Sequence, residues 1–326
     1  MPVIMYREAI RDALAEEMRR DPRVFVMGED VAIYGGAYSA TQGLVQEFGE
    51  ERVRDTAISE AAIAGAAVGA AMCGMRPVAE IMYVDFMTLA MDQFVNQAGK
   101  NRYMFGGKTI VPMVIRTEGG AGRCIAAHHS QSLEAWFVHA PGIFVVMPST
   151  PYDAKGLLKT CIRDDNPILF IEHKMLYNTK GEVPAGEYLV PLGQAATRRE
   201  GKDVTIVSYS RMALRAEEAA RTLEKEGVSA EVIDLRCLKP LDIDCILASV
   251  RKTGRLVLAS EAYKDGNFVC EVAMKVQELA FDYLDAPIER VCAANCPVPM
   301  SPVLEDEAIP RADKIVAAAK RTLGRA

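Results

Sequence analysis

The sequence predicts an α/β fold of two domains, the first a doubly wound, mostly parallel sheet and the second a smaller α/β unit. Two observations carry this: unbroken apolar runs alternate with helical stretches through both halves, and one long stretch of weak periodicity divides them. A parallel sheet has helices on both faces, so its strands read as continuous apolar runs. Tyr6, Ala9, Ile10, Ala13, Leu14 and Met18 recur at helical spacing, so the chain opens with an amphipathic helix. Apolar runs follow at residues 23–27, 78–84, 110–115, 143–147 and 168–171, with helical stretches at 59–73, 88–100 and 151–163. From Tyr177 onward Gly181, Pro184, Gly186, Pro191 and Gly193 mark a long connection, which sets a first domain at 1–190 and a second at 191–326. There the alternation resumes, with strands at 204–209, 230–235, 255–259 and 288–292 and helices near 214–226 and 243–251.

Bulk properties exclude several classes. With 326 residues, half of them hydrophobic, the chain can bury the cores of an enzyme. A net charge of −6 and a pI near 5.5 argue against nucleic acid or an anionic membrane as partner, since both require a basic surface. The longest uncharged small-residue run, Ile63 to Met75, has 13 residues, short of the ~20 that span a bilayer. With no export signal or transit segment ahead of the first helix, the expected location is the cytoplasm. The eight cysteines lack the paired short spacings of a zinc site or redox dithiol and read as reduced structural thiols.

Three segments carry candidate chemistry. In DTAISEAAIAG, residues 55–65, Ser59 stands where an N-cap belongs and Glu60 falls in the first turn of a helix rich in Ala and Gly. A first-turn Glu can simply complement the helix dipole, but the small residues behind it let a backbone or a flat ligand approach closely. In AAHHSQSLEAWFVHAPG, residues 126–142, three of the four histidines and the only Trp lie together. Adjacent His128 and His129 cannot both face one cleft, and spacing does not choose between them. In AEIMYVDFMTLAMDQ, residues 79–93, Met82, Tyr83, Phe86 and Met87 gather at a strand–helix junction, as an apolar wall for a planar ring or as core. No Gly-rich phosphate loop of the Rossmann or P-loop type is present; Gly119-Gly120-Ala121-Gly122 is the nearest approach.

Together these segments resemble, nearly end to end, the β subunits of thiamine-diphosphate-dependent 2-oxo acid and acetoin dehydrogenases, the transketolase-like family. VPMSPVLED at residues 298–306 resembles that family's C-terminal domain signature. The resemblance implies a transketolase-like pyrimidine-binding domain followed by a transketolase-type C-terminal domain. It implies that Glu60 hydrogen-bonds a ring nitrogen of the cofactor's aminopyrimidine, with Met82, Tyr83 and Phe86 packing on the ring. It assigns His129 to positioning or protonating an oxidised lipoyl group, although His128 departs from the family pattern. Glu29 resembles an acidic residue on a proton path between paired sites, with a loop carboxylate as the plain alternative.

The family's diphosphate and Mg²⁺ ligands, a Gly-Asp-Gly segment followed by paired Asn, have no counterpart here, which implies a separate α subunit that supplies them. Two α and two β chains are the assembly expected. CIRDDNP, residues 161–167, resembles a helix end where Ile162, Asp164 and Asn166 bind a monovalent cation such as K⁺ in relatives; an ordinary helix C-terminus with turn-forming Asp and Asn is the alternative. The implied reaction cleaves acetoin or pyruvate and transfers the acetyl unit to the lipoyl group of a dihydrolipoyl acyltransferase. RYMFGGK, PSTPYDAKGLL and YNTKGEVP look most like acetoin-type members. A branched-chain 2-oxo acid enzyme, the pyrimidine-binding half of a split transketolase-like enzyme and a noncatalytic scaffold paralogue are the alternatives; retention of Glu60, Phe86 and His129 speaks against the last.

Overall fold

The computed structural model describes residues 1–325. It divides into two compact units, one formed by Met1–Gly119 with Trp136–Leu192, the other by Gly120–Ala135 with Gly193 onward. The strands, in chain order, are β1 (Val3–Met5), β2 (Val24–Gly28), β3 (Val53–Asp55), β4 (Arg76–Glu80), β5 (Val114–Gly119), β6 (Phe144–Val146), β7 (Ile168–His173) and β8 (Lys180–Glu182) in the first unit. The second carries β9 (Ala196–Arg199), β10 (Val204–Ser208), β11 (Ala230–Asp234), β12 (Cys237–Lys239), β13 (Leu256–Tyr263) and β14 (Glu289–Ala293).

In the first unit the sheet order runs β6-β7-β5-β4-β2-β3, and every one of these pairings is parallel. All six residues of β5 and of β7 are buried, which accounts for the apolar run at 168–171 that opens β7. The helix Tyr6–Arg20 packs against the helix Pro151–Arg163, whose N-cap Thr150 accepts from the backbone of Asp153 at 3.1 Å. A small antiparallel ribbon of β1 and β8, absent from the sequence-based expectation, ties the start of the unit to its end.

The expected helix at 88–100 is instead a 3₁₀ turn at Val84–Ala90, a π-helical stretch at Asp92–Ala98 and a short α-helix at Gly99–Met104. Burial explains the change. Val84, Met87 and Ala90 are buried at intervals of three, the 3₁₀ repeat, and Phe94 and Ala98 continue at intervals of four.

The second unit is a five-stranded sheet in the order β14-β13-β10-β11-β9, parallel apart from the antiparallel edge strand β9. The helices Arg211–Lys225 and Ala312–Thr322 pack together and supply Ala216, Ala220, Leu223, Ile315 and Ala319 to its core. The helices Ile243–Thr253 and Phe268–Ala280 form a second packed pair. No helix among the described residues is long and apolar enough to cross a membrane.

Candidate active site

Glu60 opens the helix Glu60–Met72 and is 9% exposed. Ser59 holds the N-cap position in an extended conformation, yet its side chain makes no capping hydrogen bond. The helix buries Ile63, Ala64, Ala67, Val68 and Ala71, and its small residues let it lie against β4, the 3₁₀ turn and the π-helical stretch. A Cβ on Gly65 would stand 3.4 Å from the Gln93 side chain, an ordinary van der Waals contact, so that face packs closely on the π-helical stretch.

The same contacts carry the second segment to the first. Met82, Tyr83 and Phe86 lie where β4 passes into the 3₁₀ turn, and all three are partly exposed. Tyr83 takes a positive φ of 65°, turning the chain sharply, and its ring meets Phe86 edge-on with centroids 6.3 Å apart. The Lys174 ammonium sits 4.9 Å from the centroid of the Tyr83 ring. An apolar wall that keeps one face open therefore stands on the turn packed against the Glu60 helix.

Glu29, just beyond β2, is also 9% exposed, and its Oε1 has no hydrogen-bond partner. Burial, then the neighbouring carboxylates of Glu60, Asp30 and Glu80, hold its carboxyl above the usual range. Glu29 and Glu60 are thus electrostatic neighbours in one unit.

The strand ends add a charged cluster that the sequence reading did not single out. Glu80 on β4 aligns with Arg116 on β5, and Glu118 on β5 aligns with Glu172 on β7. Side chains two apart on a strand share a face, so these four belong to one side of the sheet. The Arg116 guanidinium donates to Glu80 at 2.6 Å and, through two nitrogens, to Glu172 at 2.6 and 2.9 Å, with all three residues buried. Glu118 is 2% exposed and its Oε1 has no partner. Burial foremost, then Glu80 and Glu172, push its carboxyl up to about 8 against the opposing pull of Lys174. The available signal was charge inside buried strands: RPVAE and VIRTEG each carry an Arg and a Glu, and ILFIEH carries Glu172.

His128 and His129 belong to the second unit, whereas Trp136 and His139 fall in the first. His128 is exposed and His129 partly buried on a 3₁₀ turn, Ala127–His129, so the two imidazoles differ in environment as their adjacency requires. His139 is exposed, at the end of the helix Glu134–His139.

At the proposed cation site the Arg76 guanidinium donates to the carbonyls of Ile162 at 3.0 Å and Asp164 at 2.9 Å. Asp164 Oδ1 accepts from the backbone and side-chain nitrogens of Asn166, both at 2.8 Å, and Asn166 Oδ1 accepts from Arg102 at 3.0 Å. Among the described residues no group of three or more His, Cys, Asp or Glu side chains is arranged to hold a metal ion.

The family description "Transketolase, pyrimidine binding domain" matches residues 3–180, and "Transketolase, C-terminal domain" matches residues 193–315. The chain is 51% identical to acetoin:2,6-dichlorophenolindophenol oxidoreductase subunit beta of Cupriavidus necator, over 97% of this chain and 96% of that protein. It is 48% identical to 2-oxoisovalerate dehydrogenase subunit beta of Bacillus subtilis, over 98% of each. It is also 48% identical to pyruvate dehydrogenase E1 component subunit beta of Rhizobium meliloti, over 98% of this chain and 70% of that protein. Among solved structures, a split-gene transketolase described as an inactive beta4 tetramer superposes with a TM-score of 0.82 at 25% identity, covering 98% of this chain and 99% of that one. A transketolase mutant from Pichia stipitis shares the fold, with a TM-score of 0.70 at 14% identity over 99% of this chain and 47% of that one.

Proposed function

Because the chain belongs to the transketolase-like family of β subunits of thiamine-diphosphate-dependent acetoin and 2-oxo acid dehydrogenases, we propose that with an α partner it cleaves acetoin or pyruvate and passes the acetyl unit to a lipoyl group on a dihydrolipoyl acyltransferase. The observation that carries this reading is Glu60, a buried carboxylate at the start of a small-residue helix packed against the turn that carries Met82, Tyr83 and Phe86. A partly exposed apolar wall and a buried acceptor are what a flat heteroaromatic ring with a basic nitrogen requires, so these residues fit an aminopyrimidine.

When bound, thiamine diphosphate supplies a thiazolium carbon that adds to the substrate carbonyl and lets the neighbouring carbon–carbon bond break. On this reading Glu60 hydrogen-bonds the ring nitrogen and biases where the ring's proton rests, which an amide cannot do. Met82, Tyr83 and Phe86 hold the ring face. Glu29, whose carboxyl is held above the usual range by burial and by Glu60, lies on the proton path to and from the site. His129 positions or protonates the disulfide of the oxidised lipoyl group.

We place the diphosphate and Mg²⁺ ligands on the α chain and take two α and two β chains as the assembly. A K⁺ ion at Ile162, Asp164 and Asn166 would share two carbonyls with Arg76, whose guanidinium already supplies a positive charge there. A cytoplasmic location suits the eight free cysteines, since a reducing compartment keeps thiols free.

Acetoin is the substrate we put first, on the segments that resemble acetoin-type members and on the 51% identical relative named for acetoin. The test is co-expression with an α-type chain and assay of acetoin, pyruvate and branched-chain 2-oxo acids with an artificial electron acceptor. Turnover should appear only in the mixed complex, and Glu60→Gln should lower it by about 10²–10⁴-fold with assembly intact. A β chain active alone, or a Glu60→Gln complex at wild-type turnover, overturns the reading.

A further inference from the structure

The His129-bearing loop is gripped at one arm by two carboxylates distant in sequence. Gly120 N donates to Gln131 O at 2.9 Å and closes the loop on itself. Ala121 N donates to Glu261 Oε1 at 2.6 Å. Gly122 N donates to Glu305 Oε1 at 2.9 Å, Cys124 N reaches Glu305 Oε2 at 3.1 Å, and Cys124 Sγ lies 3.2 Å from the same oxygen. Glu305 is 3% exposed, in the short helix Pro302–Ala308. Arg211 donates to Ala121 O at 3.3 Å, and Ala121 packs with Val298 and Ile309.

This backbone does not hold its shape by itself. It has no regular hydrogen-bonded ladder, and Cys124 and Ala126 take positive φ values of 55° and 63°, which side-chain-bearing residues rarely adopt. Such a conformation persists only where its surroundings over-determine it. Two carboxylates that accept the N–H groups of residues 121, 122 and 124 do that, the last of them five residues before His129.

We propose that Glu305, assisted by Glu261, is a positioning residue for His129: by accepting the loop's N–H groups it fixes the imidazole for acyl transfer to the lipoyl acceptor while leaving cofactor chemistry untouched. The proposal rests on the reading of His129 given above. A carboxylate is required because several donors converge on both oxygens; the amide of Gln would turn an NH₂ group toward an N–H donor. Displacement of a catalytic group by about 1 Å costs on the order of 100-fold in rate.

The test compares Glu305→Gln, Glu261→Gln and His129→Ala in the assembled αβ enzyme, with two acceptors, a lipoylated domain and an artificial electron acceptor, and with hydrogen exchange over residues 120–131. We expect Glu305→Gln to lower kcat/KM for the lipoylated domain by about 10–100-fold, to change artificial-acceptor turnover by less than about threefold, and to speed exchange in the loop. Wild-type lipoyl acylation in Glu305→Gln, or equal losses with both acceptors, overturns the proposal. If Glu305→Gln does not assemble, Glu261→Gln decides on the same criteria. Full lipoyl acylation in His129→Ala would instead remove the underlying reading of the histidine, whatever Glu305 does.

Discussion

Glu118 should carry a proton at neutral pH, and Glu118→Gln tests it. Three carboxylates, Glu80 on β4, Glu118 on β5 and Glu172 on β7, share a buried site with Arg116 on β5, Lys174 just past β7 and the Tyr177 hydroxyl. Arg116 engages Glu80 and Glu172 directly. Glu118 has an unpartnered oxygen and a carboxyl pushed up to about 8. In the unfolded chain that carboxyl ionises near 4.5, the ordinary value for Glu. With the folded value raised, the residue's contribution to stability is complete below about 4.5 and is lost as pH climbs to about 8. One pKa unit corresponds to about 1.4 kcal/mol, so at pH 7 the wild type forgoes about 3 kcal/mol that a non-ionising residue would retain.

Urea unfolding of the same assembly at pH 5, 6, 7 and 8 should therefore show the stability difference between Glu118→Gln and wild type moving toward the variant by about 1.4 kcal/mol per pH unit, levelling off above pH 8. An infrared band of a protonated buried carboxyl should be present in the wild type at pH 7 and absent in the variant. Parallel pH profiles with no such band would refute the reasoning and mean that Lys174 keeps Glu118 ionised.

Two further changes probe the first unit. Arg116→Met leaves Glu80 and Glu172 buried without their counter-charge and should cost about 3–5 kcal/mol, read as a lower urea midpoint that falls further as pH rises. Gly142→Ala should destabilise by about 2 kcal/mol or more, read as a lower melting temperature: φ there is +92° and the new Cβ would stand 1.8 Å from the Gly99 carbonyl oxygen.

Most strands were legible because burial on both faces writes itself as an apolar run. The run expected at 168–171 is β7, Ile168–His173, and that at 204–209 is β10, Val204–Ser208. The helix at 151–163 matches residue for residue, with Thr150 as cap and Pro151 in the first turn. The helix start at Glu60 was legible because a Ser followed by an acidic residue before an Ala-rich run is a local signal. The stretch expected as helix at 88–100 was misread because a step of three blurs into the α-helical pattern unless Val84, Met87 and Ala90 are taken together. The grip on the histidine loop was not legible at all. Its donors are main-chain N–H groups, which carry no residue identity, and its acceptors Glu261 and Glu305 lie about 140 and 180 residues away.

Glu80, Glu172, Glu305, Glu261 and Glu118 are accommodated in three physically distinct ways. Glu80 and Glu172 face a guanidinium that donates to both. Glu305 and Glu261 face backbone N–H groups. Glu118 has one oxygen, Oε1, without a partner, and burial pushes its carboxyl up to about 8. A fold selected only for stability would replace such groups with apolar residues of similar volume, since a buried ion pair rarely outperforms good packing. The first unit instead concentrates carboxylates at the carboxyl ends of β4, β5 and β7, the edge at which parallel α/β sheets bind their ligands. The Glu29 carboxyl feels both Glu60 and Glu80, and Glu118 feels Glu80, so electrostatic coupling runs from the proposed ring-nitrogen contact to Glu118. Removing Arg116 should then raise the proton affinity of the whole array, whereas neutralising Glu118 should leave the Arg116 pairs in place. The contrast between those two pH profiles separates a coupled proton store from a set of independent structural ion pairs.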